Sequence, residues 1–299
     1  MHTLKTTASS SLALAEGSYI YSIAASSPGS FAAISSDDSL RMFDAAGLNH
    51  VSVVAANTHE GVTSLKSYDV GQQLLATGGR DGKVKLWDLR KGKNAAVVVA
   101  METWMSDHPG SANFINIYNT TITDEDDALV QVINHGSVHH AGFLTERTIY
   151  ALSHDEVFSI HPATDPDEQT QEPDPVQFGD LRQPLGCEYI AQLCIGSQGP
   201  YVAAGSTSDR RLDLVPLVSN PSWHFDQENL WRLPGGHGEE IVRSVYLDEQ
   251  SQSVFTCGED GFVRAWKPDD DKMEMEESST KTPRPKAKKG RDKGRFNPY

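Results

Sequence analysis

Between residues 18 and 268 the chain breaks into short apolar runs separated by turn-forming residues, and helical spacing is rare. Lys83-Val84-Lys85-Leu86-Trp87 alternates polar and apolar, which places Val84 and Leu86 on one face of a strand. Leu74-Leu75-Ala76 before it reads as the end of a buried strand. Thr77-Gly78-Gly79-Arg80-Asp81-Gly82 between the two is a turn, and Asp81-Gly82 is a pair that tolerates positive φ between antiparallel strands. Further strands are predicted at residues 19–24, 31–36, 40–43 and 62–65, with Asp37-Asp38 at the turn between the second and third.

The pattern of residues 74–90 recurs. Phe255-Thr256-Cys257-Gly258-Glu259-Asp260-Gly261-Phe262-Val263-Arg264-Ala265-Trp266 has the same order of parts, with Thr256 matching Thr77, Asp260 matching Asp81 and Trp266 matching Trp87. Trp87-Asp88 is the ending that marks one blade of a WD-repeat β-propeller. Equivalent endings fall at Phe43, Tyr118, Ile160, Val215 and Trp266, so the spacings along the chain are 44, 31, 42, 55 and 51 residues. Such blades repeat at about 40–45 residues. The long intervals contain residues 161–180, Pro-rich and acidic, and residues 220–226, with Trp223 and Phe225 free to pack or bind; both read as loops, the first a mobile one. The short interval holds a single apolar run, residues 95–100, and too few residues for four strands. Residues 91–117 are therefore expected to be the least regular part of the fold.

Several segments together resemble the WD repeat-containing protein 89 family: Thr123-Asp124-Glu125-Asp126-Asp127-Ala128-Leu129-Val130, Ser153-His154-Asp155-Glu156, Gly235-Gly236-His237-Gly238-Glu239-Glu240-Ile241-Val242-Arg243-Ser244, and Gly258-Glu259-Asp260 followed by Trp266-Lys267-Pro268. The resemblance spans about residues 18–268 and implies an all-β, WD-repeat β-propeller, seven-bladed in that family. The compressed interval after residue 90 looks like the loss of one blade and most of the next. Five complete blades and an incomplete one remain, and ring closure is in question because an open propeller exposes strand edges. Residues 1–17 are either a flexible terminus or a strand that closes the ring.

Composition narrows the function. At 38% hydrophobic and 22% charged, the chain reads as soluble and globular, with no run of apolar residues long enough to span a membrane. The first residues are too weakly basic, and their apolar patch too short, for a signal peptide. Cys187, Cys194 and Cys257 lack metal-clip spacing and read as free thiols. Of the 26 Lys and Arg and 41 Asp and Glu, eight and one lie in residues 281–299, which leaves 18 and 40 for the rest. An acidic body thus carries a basic tail, reached through the acidic residues 269–280. Residues 269–299 are expected to be disordered.

In WD repeats a His, a Ser or Thr, an Asp and a Trp form a buried hydrogen-bonded set, and the resemblance assigns that role to His237, Thr256, Asp260 and Trp266 and to Thr77, Asp81 and Trp87. A catalytic triad of His237, Asp260 and a hydroxyl is the competing reading, but a single active site would not repeat. His59 completes the earlier set only if its spacing, one residue closer to Val62 than usual, is tolerated. No phosphate loop is present, and His139-His140 has no third ligand at helical spacing. Neither a catalytic residue nor a cofactor, metal or small-molecule substrate is expected. Asp88 and Arg90 fit the WDxR box of substrate receptors that dock onto the adaptor of cullin-RING ubiquitin ligases, with a local ion pair as the plainer reading. In the tail, Arg284, Lys286, Lys288, Lys289, Arg291, Lys293 and Arg295 resemble a nuclear import signal, and their density also suits a weak RNA contact. The expectation is a scaffold of the nucleus or nucleolus, with the cytoplasm as a further location. It would bind basic proteins such as histones or ribosomal proteins during complex assembly, with the ligase receptor as the alternative.

Overall fold

A computed structural model describes residues 1–49, 51–69, 73–94, 96–102, 114–119, 121–164 and 173–269. The alternating runs form strands, and antiparallel pairing gathers them into four-stranded sheets. Blade 1 consists of β1's successors in the chain: β2 (Ile20–Ser27), β3 (Ser30–Ser35), β4 (Leu40–Asp44) and β5 (Val51–Ala55), where β1 is His2–Ser10. Blade 2 is β6 (Val62–Asp69), β7 (Leu74–Gly79), β8 (Lys83–Asp88) and β9 (Ala96–Glu102). Next come β10 (Phe114–Tyr118) and β11 (Leu129–Asn134), which pair only with each other among the described residues.

Blade 3 is β12 (Val138–Thr145), β13 (Thr148–Ser153), β14 (Val157–Pro162) and β15 (Val176–Asp180). Blade 4 joins β16 (Tyr189–Gly196), β17 (Gly199–Ser206) and β18 (Arg211–Val218); after the short β19 (His224–Phe225), β20 (Trp231–Pro234) completes it. Blade 5 is β21 (Val242–Asp248), β22 (Ser253–Gly258) and β23 (Val263–Pro268), and its fourth strand is β1. Five four-stranded blades and a half-blade therefore make an all-β propeller. The two α-helices among the described residues, α1 (Glu125–Ala128) and α2 (Arg182–Leu185), are single turns.

The N-terminal stretch is a closing strand: Thr6 stands opposite Trp266, and Leu4 opposite Pro268. Closure replaces an exposed edge with a full ladder. Residues 91–117 are more regular than the sequence indicates where they are described. The apolar run becomes β9, the outer strand of blade 2, and Ile117-Tyr118 belongs to β10; residues 103–113 lie outside the described residues. The acidic loop also needs correction. His161 and Pro162 end β14, and Val176–Asp180 is the outer strand of blade 3, so the stretch without strand structure is shorter than 161–180. The Val176-Gln177-Phe178 alternation was hidden by the Pro and acidic residues around it. Of the aromatic pair in residues 220–226, Phe225 packs against Phe158 and Phe178 and Trp223 against the same apolar cluster, while residues 220–222 and His224 stay exposed.

The core is distributed between blades. One apolar cluster joins blades 5 and 1 through Phe255, Phe31 and Ile23; a second joins blades 1 and 2 through Ile34, Leu65 and Trp87. Two others lie between blades 3 and 4 and between blades 4 and 5. The half-blade departs from this. Its Phe114, Tyr118, Leu129 and Val132 stay exposed, because β10 and β11 have no inner pair of strands beside them among the described residues.

Candidate functional site

Two turns and two strands of blade 5 bring four polar groups into contact beneath its surface. Asp260 accepts from His237 Nδ1 at 2.7 Å, Thr256 Oγ1 lies 2.8 Å from His237 Nε2, and Trp266 Nε1 donates to Thr256 Oγ1 at 2.9 Å. Blade 2 repeats the arrangement. His59 Nδ1 lies 2.9 Å from Asp81, His59 Nε2 2.8 Å from Thr77 Oγ1, and Trp87 Nε1 donates to the same hydroxyl at 2.8 Å. The shorter spacing of His59 is thus accommodated. With a neutral imidazole protonated on Nδ1, every donor in the chain of contacts finds an acceptor: indole to hydroxyl, hydroxyl to Nε2, Nδ1–H to carboxylate.

Burial tells what this set can do. Thr256 is 0% exposed and His237 3% exposed, so no substrate reaches the hydroxyl that a triad would need as nucleophile. Burial holds the His237 imidazole below its usual range, against the pull of Asp260. Burial also raises Asp260, but its hydrogen bonds with His237 and Arg264 leave it lowered on balance. The set fastens three strands. Glycines make room for it: a Cβ on Gly258 would sit 2.5 Å from Ile241 O and 3.1 Å from His237 Nδ1. Gly261 follows Asp260 at φ +74°, where a side chain would strain the backbone.

The other blades use different fasteners, and the sequence did not point to them. In blade 1, Asp37 accepts from Ser35 at 2.7 Å, Ser39 at 2.6 Å and Arg41 at 2.8 Å. Burial opposes its ionisation, but these donors bring its pKa down to about 2. In blade 4, the buried Asp213 receives Arg232 Nε at 2.7 Å and Nη2 at 2.8 Å, with Arg211 on its other side. In blade 3, Ser159 Oγ stands between His135 Nδ1 at 2.9 Å and His161 Nε2 at 2.7 Å. The alternating Ser35, Asp37, Ser39 and Arg41 is a visible signal for the first; Asp213 lies in mid-strand between Leu212 and Leu214 and gives none.

Asp88 and Arg90 are together, but with each other. Arg90 Nε and Nη2 donate to the two carboxylate oxygens at 2.7 and 2.8 Å, which holds the Asp88 pKa to about 2. The Arg90 side chain is 56% exposed. The tail cations Arg284 to Arg295 lie outside the described residues.

A channel of about 820 Å³ runs between the inner strands of the blades, bordered by β2, β6, β12, β16 and β21. His139 and His140 enter it from β12, with ring centroids 4.5 Å apart and His154 5.0 Å from His139. No group of His, Cys, Asp or Glu among the described residues could hold a metal ion. Burial pushes the three thiols up, to about 11 for Cys187 and about 12 for Cys194, so none is poised as a nucleophile.

Comparisons with known proteins agree with this architecture. The family described as WD domain, G-beta repeat matches residues 51–88 and 228–267, the two stretches that carry the His–Asp–Thr–Trp sets. An uncharacterized WD repeat-containing protein of Saccharomyces cerevisiae is 31% identical over 261 residues, covering 80% of this chain and 64% of that one. A second, from Schizosaccharomyces pombe, is 28% identical over 217 residues, covering 70% and 56%. The WD repeat-containing protein GTS1 of Arabidopsis thaliana is 28% identical over 303 residues, covering 92% and 76%. The chain thus spans less than two thirds of the length of the two fungal relatives. Among solved structures, the WD40 β-propeller domain of Doa1 superimposes with a TM-score of 0.55 at 12% identity, covering 89% of this chain and 97% of that one; this likeness concerns the fold alone.

Proposed function

The chain is a WD40-repeat protein, and from this we propose that it acts as a non-enzymatic interaction scaffold of the kind represented by the WD repeat-containing protein 89 family, binding basic proteins during complex assembly in the nucleus or nucleolus. WD40 propellers are generally non-enzymatic binders of other proteins. The observation that carries the reading is the charge division. Over residues 1–268, 34 acidic residues stand against 17 basic ones, on a fold whose buried imidazoles and carboxylates are occupied in fastening strands. An excess of surface acid attracts cationic partners and repels nucleic acid from the body, and the partners in view are histones or ribosomal proteins. The tail would steer localisation or touch RNA.

Affinity purification of the full chain tests this. Basic assembly proteins are expected at low salt and released as salt rises; recovery of no basic partner overturns the reading. Removing residues 281–299 is expected to leave the fold intact and shift the protein out of the nucleus, and an unchanged location counts against an import signal. The alternative of a ubiquitin-ligase substrate receptor rests on the half-exposed Arg90 guanidinium. It requires recovery of the adaptor and cullin, lost on Arg90→Ala.

A further inference from the structure

The channel has the opposite charge to the body around it. Among the described residues its lining includes three cations, Lys66, Arg80 and Arg243, and a single carboxylate, Asp38. That carboxylate is committed, accepting from Val62 N at 2.8 Å and Gly61 N at 3.3 Å, where it ties blade 1 to blade 2. Arg243 shares its charge with Glu259. Lys66 and Arg80 are exposed, and no carboxylate pairs with either among the described residues. In a chain with a net charge of −15, such a lining is not what composition alone would produce.

The channel histidines register the same positive field. His140, among His139, His154 and Lys66, is pushed down to about 4, first by burial and then by those three neighbours. His139, beside His154 and Arg243, is lowered for the same reasons. Low-dielectric walls of one sign focus a field on whatever enters.

The cations are also spread along the channel. Arg80 lies in the turn after β7 and Arg243 near the start of β21, whereas Lys66 stands four residues along β6 from Val62. At roughly 3.3 Å per residue, that offset is about 13 Å. Backbone positions so offset suit an extended chain with successive negative groups better than a single small anion.

We propose that the propeller channel binds an extended acidic peptide segment of a partner, its Asp, Glu or phosphorylated side chains paired with Lys66, Arg80 and Arg243. This site goes beyond the scaffold reading, because the outer surface would take basic proteins while the channel takes an acidic one. Bound anions would also offset the neighbouring cations that add to burial in holding His139 and His140 neutral.

The test uses the full-length chain with its eight tail cations replaced by Gln, so that the tail cannot capture the probe. A short fluorescent poly-glutamate peptide is titrated by anisotropy, with poly-lysine and inorganic phosphate as competitors. Poly-glutamate is expected to bind and to resist displacement by inorganic phosphate. The Lys66→Glu/Arg80→Glu variant is expected to weaken it by about tenfold or more, a change expected of two lost charge pairs, while Lys267→Glu, outside the channel, leaves it unchanged. Absence of binding, equal loss in Lys267→Glu, or displacement by phosphate at comparable concentration overturns the proposal. If the double variant fails to fold, the parent chain still decides: affinity is expected to rise from about pH 7.5 to about pH 6, and a flat or opposite response overturns it.

Discussion

Blades 4 and 5 are neighbours in the ring and meet the same need by opposite means. Blade 5 holds its strands with a relay of hydrogen bonds around a neutral imidazole, whereas blade 4 buries a carboxylate between two guanidinium groups. Each solution satisfies its buried polar atoms, yet they fail differently. A neutral relay loses one contact at a time, and an ion pair that loses its anion leaves cations stranded in a poor solvent.

The sharpest break in this comparison is Asp213→Ala. It leaves Arg211 and Arg232 without their shared partner and is expected to cost about 3–5 kcal/mol in chemical denaturation. Thr256→Val comes next. It strands the Trp266 indole N–H and the His237 ring together, for an expected loss of about 2–3 kcal/mol, and Thr77→Val is expected to do the same in blade 2. A result in which Asp213→Ala costs less than Thr256→Val would reverse the distinction.

Acidity gives a smaller contrast. The folded pKa values of His237 and His140 lie below that of an unfolded histidine, so the unfolded chain binds more protons as pH falls below about 6.5. Their stabilising contribution is complete above that pH and is lost as pH falls toward the folded values, near 4 for His140. The denaturation midpoint is therefore expected to drop between pH 7 and pH 5, and to drop less in His140→Asn. Asp37, at about 2, is lost only at lower pH. The smallest effect expected is that of Arg90→Ala, whose side chain is half-exposed; Lys91, 3.9 Å from the buried Asp88, still offsets the carboxylate, and the thermal midpoint is expected to fall by less than in the other variants.

The same pair of blades shows where sequence reading succeeds. Blade 5 is legible because Asp260 sits in a turn flanked by Gly258 and Gly261, with Thr256 and Trp266 at fixed distances in the strands on either side, and because blade 2 repeats the pattern. Asp213 is illegible because one carboxylate in an apolar strand looks the same whether it faces solvent or a guanidinium. β15 was missed for a related reason: acidic and Pro-rich neighbours masked three alternating residues. The channel's basic lining was beyond reach of sequence alone. Lys66, Arg80 and Arg243 are ordinary surface residues until the ring brings their strands around one axis.

The pairing of β1 with β23 has a consequence for biosynthesis. Contacts such as Thr7 with Ala265 join residues 258 positions apart. His2–Ser10 is synthesised before every other strand described, and its mate Val263–Pro268 emerges only after blades 1 to 4 have been translated. Until β23 is made, β1 lacks its antiparallel partner, and blade 5 cannot be completed. Closure is thus a late, slow event governed by loop entropy, and the interval before it is when the polypeptide is most open to capture by chaperones.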